Sequence, residues 1–381
     1  MLVLLPTSRQ AQLGTSGRTS LAGHRSSDDE AGALRAGCRA APVADGSVMM
    51  RSVDARLAPE VVTLGECLMA FVAATPGPLA EATSFDRHVA GAEANVAVGL
   101  TRLGHTVAYL GRIGDDGFGT AIVRRLRGEG VDVTQLTVEA GAGTGVMFRE
   151  RRMLGAMDIA YHRAGSAASR LSVDDVERAA SQGTFHGARW LHLTGITPAL
   201  STTARDAATR ARDVARDAGA TVSLDINLRR RLWADKEAAP ALRNLASGVD
   251  VVLGSTDELA LVAGADPETA PEELVGAVAR LGPGTVVAKL GRDGALGLDA
   301  SGLTVLEPAF DVPVVLDPVG AGDAFCAGFI SGRLDGTDLA MALRRGNACG
   351  ALAVAASGDQ AGLPDRAELD RFLAGGPDTL R

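Results

Sequence analysis

A short segment near the C-terminal end combines residue types suited to phosphate chemistry. DPVGAGDAFCAGF (317–329) places Gly320, Ala321 and Gly322 directly before Asp323, at the start of an apolar stretch with helical spacing. Because these three residues carry almost no side-chain bulk, a phosphate could approach their N–H groups, and a helix dipole would favour its charge. Asp323 would repel such an anion, but it could accept a proton from a hydroxyl that attacks phosphate. A helix N-cap is the alternative role for Asp323.

Other short catalytic motifs are missing from the chain. The sequence contains no GxxxxGK[ST], no HRD with DFG, no HExxH and no GxSxG. GDDGFG (114–119) follows a predicted strand, but its spacing differs from the dinucleotide-binding GxGxxG. We therefore interpret it as a turn followed by a helix entry.

The elements that must position these residues alternate from residue 61 onward. Continuous apolar strands separated by helices predict an α/β fold with a mainly parallel sheet covered on both faces. The predicted strands are VVTLGE (61–66), VAYLGRIG (107–114), WLHLTGI (190–196), TVSLDIN (221–227), DVVLGS (250–255) and TVVAKLG (285–291), and the predicted helices cover 92–104, 118–130, 201–218 and 271–281.

Two stretches, at about 68–90 and 143–164, depart from this alternation. Each resembles a pair of strands without a helix between them, as in LMAFVAA with SFDRHVA. We expect them to form a small second sheet, set as a lid over the carboxyl ends of the main strands. Those ends form the crevice in which open parallel sheets bind ligands.

The composition argues against two classes of partner. The chain has 381 residues, a formal net charge of −8 and a pI near 5.4, whereas nucleic acids and anionic membranes attract clustered Lys and Arg. No apolar run is long enough to span a bilayer. The four cysteines, Cys38, Cys67, Cys326 and Cys349, are widely separated without CxxC spacing, so we expect reduced, mostly buried thiols in a cytoplasmic protein.

The first 58 residues differ from the rest. They are rich in Ser, Ala, Gly and Arg and show no sustained period, which predicts a disordered leader before a domain at 59–375. Because Met49 and Met50 precede the ordered pattern, we expect part of this leader to reflect an over-long start-site assignment.

Four motifs in order resemble the ribokinase-like (PfkB) carbohydrate kinase family. They are GAEANVAVGLTRLG (91–104), LDINLRRRLW (224–233), KLGRDG (289–294) and GAGDAF (320–325), and the resemblance runs from about 61 to 370. It implies a three-layer α/β/α fold with a small β-sheet lid. It also implies phosphorylation of a hydroxyl with ATP and Mg²⁺, with a monovalent cation as a further candidate. In that mechanism the backbone of residues 320–322 is the anion hole and Asp323 is the base.

The resemblance also assigns roles outside that loop. The assigned residues are Gly91 and Asn95 for sugar hydroxyls, Asn227 and Arg229 between nucleotide phosphate and substrate, Ser255, Gly291, Gly294 and Asn347 for ATP, and Glu258 for magnesium through water. Local roles remain open for several of them. Asn95 could make a helix-entry hydrogen bond, the two later glycines could serve a tight turn, and Asn347 could be satisfied internally.

Within that family, YHRAGSAASRLS (161–172) resembles the 2-keto-3-deoxygluconate kinases. Arg163 and Arg229 could clamp the carboxylate of such a sugar acid through forked, charge-assisted hydrogen bonds. Tyr161 supplies a hydroxyl and an apolar face. A solvated arginine on an edge strand is the alternative for Arg163.

The sequence departs from the family pattern at three positions. Ser255 stands where Asn is usual, Ala90 where Gly is frequent, and Met147 where some keto-deoxy-gluconate kinases have tyrosine. Met147 weakens the assignment of one particular sugar more than the assignment of a kinase. Alternatives are therefore a kinase of a neutral sugar (fructose or ribose type) or of 5-keto-2-deoxygluconate, and more remotely a non-catalytic sugar or nucleotide sensor. The alternating MAFVAA segment also predicts a homodimer through the lid.

Overall fold

The computed structural model describes residues 58–151 and 158–375. The predicted leader, except for Ala58, lies outside the described residues. Residues 152–157, within the second predicted lid segment, also lie outside them.

A nine-stranded sheet lies at the centre of the described part, with the strand order β13-β12-β11-β10-β9-β8-β1-β4-β5. Every neighbouring pair from β11 to β5 is parallel, whereas β12 and β13 add an antiparallel edge. The strands are β1 (Val61–Leu64), β4 (Val107–Gly114), β5 (Leu136–Glu139), β8 (Trp190–Thr194), β9 (Thr221–Asp225), β10 (Val251–Ser255), β11 (Thr285–Lys289), β12 (Ala295–Leu298) and β13 (Thr304–Glu307).

Helices cover both faces of this sheet, which confirms the predicted three-layer arrangement. One core contains Val61 and residues of α1, α2, α9 and α10, and the other contains Val62 and residues of α3 and α5 to α8. The helices are α1 (Ala92–Arg102), α2 (Gly117–Gly128), α3 (Val173–Ser181), α4 (Thr197–Leu200), α5 (Thr202–Asp217), α6 (Asp235–Ala246), α7 (Thr256–Ala263), α8 (Pro271–Ala279), α9 (Ala321–Leu334), α10 (Leu339–Val354) and α11 (Arg366–Leu373). Successive residues of a strand point to opposite faces, so a strand buried on both sides reads as a continuous apolar run.

The predicted small sheet is present. It contains β2 (Leu68–Ala73), β3 (Phe85–Ala90), β6 (Val146–Arg149) and β7 (Ile159–His162), in the order β3-β2-β6-β7. β2 and β6 pair in parallel, and each outer pair is antiparallel. We refer to these four strands as the lid sheet.

The GDDGFG segment is a turn and helix entry, as interpreted from its spacing. Asp116 is the N-cap of α2, and its carboxylate accepts a hydrogen bond from the Gly119 N–H at 2.7 Å. The same carboxylate accepts the Thr144 N–H at 2.7 Å. This cap therefore also anchors the chain that leads into β6.

Cys67, Cys326 and Cys349 are free and buried, as expected, while Cys38 lies outside the described residues. Among the helices that the structure describes, none has the length and hydrophobicity required to cross a bilayer.

Candidate active site

A cavity of about 930 Å³ is lined by residues of the lid sheet, residues that follow β9 and the first turn of α9. The predicted site residues that line it are Gly91, Asn95, Tyr161, Arg163, Asn227, Arg229, Ser255, Glu258, Gly320, Gly322 and Asp323. Ala321, Gly291, Gly294 and Asn347 lie outside its lining. Residues distant in sequence thus meet at the predicted crevice.

Asp323 is the third residue of α9, and the N-cap of this helix is Gly320. The alternative role of Asp323 as N-cap is therefore wrong. Its carboxylate instead accepts hydrogen bonds from the side-chain amides of Asn95 at 2.8 Å and Asn227 at 3.4 Å. Burial raises the pKa of Asp323 above its ordinary value, and the hydrogen bond from Asn95 opposes that shift. A raised pKa makes the carboxylate a better proton acceptor near neutral pH.

The first turn of α9 leaves bare backbone beside Asp323. Gly320 has a φ of 84°, and a Cβ at this position would lie 2.7 Å from the Asp359 carbonyl oxygen. A Cβ at Gly322, which lines the cavity, would lie 3.6 Å from Nζ of Lys289. Ala321 donates a long backbone hydrogen bond to the Pro318 carbonyl at 3.4 Å. Because the remaining N–H groups of a first helical turn lack intrahelical partners, this turn can bind an anion.

Lys289 adds a positive charge next to this turn. Its Nζ lies 2.6 Å from Oδ1 of Asp225; the two residues end β11 and β9, which lie on either side of β10 in the main sheet. Burial alone would lower the pKa of Lys289, but the charge of Asp225 raises it above its ordinary value, so the ammonium persists. Lys289 was not among the residues predicted for the site.

Arg163 is buried, at 7% exposure, and pairs with the buried carboxylate of Glu66. The alternative of a solvated arginine on an edge strand is therefore wrong. Glu66 also accepts a hydrogen bond from the Ser166 hydroxyl at 3.1 Å, and burial raises its pKa. The guanidinium of Arg163 lies 5.3 Å from the centre of the Tyr161 ring, and its Nε has no partner among the described residues. This Nε is therefore a buried donor that the described residues leave without a partner, in a residue that lines the cavity.

Arg229 differs from Arg163 in its surroundings. Its residue is exposed, and within the described part of the chain its side chain makes no ion pair, whereas the neighbouring Arg230 and Arg231 pair with acidic residues. Its charge acts to lower the pKa of Asp323. Arg229 is the more available of the two predicted carboxylate-binding arginines.

Ser255 and Glu258 form a capping box at the start of α7. The Glu258 carboxylate accepts the Ser255 N–H at 2.8 Å and the Leu228 N–H at 2.7 Å. Both residues line the cavity, so this cap joins α7 to the segment that carries Asn227 and Arg229. A magnesium role for Glu258 stays a prediction.

The remaining predicted nucleotide residues have clear local roles. Gly294 has a φ of 103°, and a Cβ there would lie 2.1 Å from the Glu307 carbonyl oxygen. Gly291 has a φ of 62° in the same tight turn. Asn347 donates to the Glu307 and Pro308 carbonyls at 2.9 and 3.1 Å. Contact of these residues with ATP stays a prediction.

The site fits a nucleotide better than a protein-held metal cluster. The groups in the site that can bind an anion are the first turn of α9, Lys289 and Arg229. Within residues 58–151 and 158–375, no three His, Cys, Asp or Glu residues are grouped to hold a metal. Mg²⁺ commonly retains several waters and binds substrate phosphates with only one or two carboxylates. The single carboxylate of Glu258 is compatible with that mode.

Two buried charged residues that line the cavity, Arg149 and Asp359, were not predicted from the sequence. Arg149 is the last residue of β6, and Asp359 lies in the loop after α10. Burial raises the pKa of Asp359 to about 6, and its Oδ1 has no partner among the described residues. The signal in the sequence that could have indicated Arg149 was Asp317 in DPVGAGD, because a buried acidic residue needs a counter-charge.

The profile of the pfkB family carbohydrate kinases matches residues 58–366. The chain is 38% identical over 317 residues to a 2-dehydro-3-deoxygluconokinase of Bacillus subtilis, covering 83% of this chain and 95% of the relative. It is also 38% identical to one of Thermoproteus tenax, covering 87% and 99%. A solved putative ribokinase II of E. coli in complex with ATP and Mg²⁺ has 27% identity and a TM-score of 0.75, covering 83% and 99%.

Proposed function

Since the chain belongs to the pfkB family of carbohydrate kinases, we propose that it transfers the γ-phosphate of ATP to a hydroxyl of the sugar acid 2-keto-3-deoxygluconate. This compound is the 2-dehydro-3-deoxygluconate of the relatives' names. The motif-based expectations of this family, of its fold and of a kinase that uses ATP and Mg²⁺ are confirmed at the family level. The observation that carries the proposal is the position of Asp323 in the bare first turn of α9, on the wall of a cavity that Arg163 and Arg229 also line.

Asp323 acts as the general base. Asn95 and Asn227 hold its carboxylate, so one oxygen can accept the proton of the attacking hydroxyl as the new O–P bond forms. The raised pKa of Asp323 increases its affinity for that proton.

The anion hole and Lys289 stabilise the charge of the group in transfer. The N–H groups of the first turn of α9 are fixed before the reaction, and the loss of one such donor typically costs about 10²–10³ in rate. Bound Mg²⁺ would supply further positive charge at the phosphates, near Glu258. A monovalent cation stays a prediction.

Arg229 and Arg163 recognise the carboxylate of the sugar acid. Arg229 contributes an unpaired charge, and Arg163 contributes its unpartnered Nε while Glu66 pairs with its Nη2. Tyr161 borders the same part of the cavity. A neutral hexose would leave these donors without a charged partner.

A substrate panel tests this proposal. ADP formation is measured with 2-keto-3-deoxygluconate, 5-keto-2-deoxygluconate, fructose and ribose at equal concentrations. We expect the highest kcat/KM with 2-keto-3-deoxygluconate. A higher value with any other member would reject the proposed substrate, and no turnover of any member would favour the sensor alternative.

The lid sheet supports a homodimer. The face opposite to Met147 and Tyr161 carries Phe71 and Phe148 stacked at 5.1 Å, with Phe85 at 5.5 Å from Phe148. These rings are only partly buried within one chain. We expect sedimentation of a dimer at micromolar concentration, and a monomer alone would contradict this assembly. The cytoplasmic location and the absence of nucleic-acid or membrane partners stay predictions.

A further inference from the structure

Arg149 is an arginine buried at 1% exposure that has no role in the mechanism above. It lies at the end of β6 in the lid sheet and lines the cavity. Its guanidinium makes two hydrogen bonds to the carboxylate of Asp317, Nη1 to Oδ1 at 3.1 Å and Nη2 to Oδ2 at 2.6 Å. This forked geometry joins the lid sheet to the segment that precedes the anion hole.

Asp317 in turn holds two backbone segments. Its Oδ1 accepts the Val319 N–H at 3.1 Å, and its Oδ2 accepts the Gly358 N–H at 3.3 Å. The loop of Gly358 continues to Asp359, whose carbonyl packs against Gly320. The Arg149–Asp317 pair therefore fixes both segments that border the start of the anion hole.

The charges around this pair give Arg149 an electrostatic role as well. Asp317 and Asp359 are both buried, with 6% exposure each, close to the site where phosphate would bind. A buried carboxylate without a counter-charge is costly and would repel an anion. Arg149 supplies the positive charge at this position, and it acts on both acids, since its charge also opposes the rise in the pKa of Asp359.

We propose that Arg149 is a positioning residue for phosphoryl transfer, which neutralises Asp317 and holds the anion hole in its binding geometry from the lid sheet. The inference rests on the proposed function. Arg149 acts through Asp317 and the backbone, so its loss affects the chemical step more than the affinity for sugar.

Two substitutions of Arg149 separate charge from packing. Arg149→Met removes the charge and keeps an unbranched chain, and we expect kcat to fall at least about tenfold while the sugar KM changes less than about threefold. Arg149→Lys keeps a charge without the fork and should lose less activity.

The matched control is Arg112→Met, because Arg112 pairs with the buried Asp175 at 2.7 Å outside the cavity lining. We expect this control to lower the melting temperature and leave kcat within about twofold.

Arg149→Ala provides a readout that a merely structural role would not give. Guanidinium chloride at millimolar concentration should raise its kcat, whereas potassium chloride at equal ionic strength should not. Equal responses to both salts, or a kcat of Arg149→Met close to that of Arg112→Met, would overturn the inference. If Arg149→Met does not fold, Arg149→Lys and the salt comparison decide it.

The failure of this inference is distinguishable from that of the proposed function. All kinetics use whichever sugar of the panel the wild type phosphorylates best, so a wrong sugar acid does not affect the comparison. If the wild type phosphorylates none, ADP affinity is measured by calorimetry. An affinity at least about fivefold weaker in Arg149→Met supports the positioning of the anion hole, and an unchanged affinity overturns it.

Discussion

At the scale of single residues, Asp323 acquires its chemistry from partners that are distant in sequence. Asn95 comes from α1 and Asn227 from the segment that follows β9, and both donate to its carboxylate. Asn227 has a φ of 40°, a backbone conformation that is uncommon for a residue other than glycine. Such outliers persist where the surrounding structure fixes them, often at functional sites.

Replacing the base tests this arrangement. Asp323→Asn keeps the shape of the side chain but cannot take up the proton, so we expect kcat to fall by about 10²–10⁴. Steady-state ADP formation measures this loss, and calorimetry should show ADP affinity close to that of the wild type. Retention of more than a few per cent of the wild-type rate would refute the role of Asp323.

The motifs identified many of the residues that line the cavity, but not all of them and not all of their partners. The family resemblance carried by GAGDAF and LDINLRRRLW was sufficient to predict Asp323, Asn227 and Arg229 in one site. The pairing of Arg163 with Glu66 and of Arg149 with Asp317 was not predicted. These contacts join residues far apart in the chain, and no local period or spacing encodes them.

At the scale of elements, the capping box of α7 both stabilises the start of the helix and contributes to the cavity lining. The Ser255 side chain accepts a backbone hydrogen bond of α7, while Ser255 also lines the cavity. Ser201 caps α5 in a similar way, accepting the Ala204 N–H at 3.1 Å, but lies outside the cavity lining. The two serines therefore form a natural pair for comparison.

We expect Ser255→Ala and Ser201→Ala each to lower the free energy of unfolding by about 1 kcal/mol, because each loses an N-cap. Only Ser255→Ala should also raise the KM for ATP, as its predicted contact with the nucleotide requires. Urea unfolding and ATP titrations measure the two effects. An equal KM for ATP in both variants would leave Ser255 as a cap alone and contradict the predicted contact.

The elements themselves were predicted unevenly. β4 was predicted with its observed bounds, and α1 and α5 within two residues, since long amphipathic or apolar segments give clear periods. The antiparallel strands β12 and β13 were not predicted. Each contains only four residues, and β13 alternates between exposed and half-buried positions without a continuous apolar run.

At the scale of the whole molecule, a buried acid makes stability depend on pH. Glu93 lies at the start of α1 and accepts hydrogen bonds from the Thr194 and Thr197 hydroxyls at 2.7 and 2.6 Å. Burial raises its pKa from 4.5 to about 7, although both hydrogen bonds oppose the shift. Between these values the folded protein retains a proton that the unfolded chain has released. The contribution of Glu93 to stability therefore falls as pH rises through this window.

Glu93→Gln removes this ionisation. We expect the free energy of unfolding of the variant, relative to the wild type, to increase between pH 5 and pH 8 by on the order of 1–3 kcal/mol. Denaturant unfolding of both proteins at the two pH values measures this increase. A change in packing caused by the substitution has the same effect at both pH values, so it cancels in the comparison. A difference between the proteins that is independent of pH would show that Glu93 titrates at its ordinary value.

The whole cavity is proposed to select a carboxylate, and a matched pair of substrates tests this most directly. The measurement is kcat/KM for 2-keto-3-deoxygluconate and for 3-deoxyfructose, which differs only by reduction of the carboxylate to an alcohol. Because a charge-assisted hydrogen bond contributes about 1.5–3 kcal/mol, we expect the acid to be preferred by about 10- to 100-fold. Equal values, or a preference for the neutral sugar, would contradict the assignment of a sugar-acid kinase.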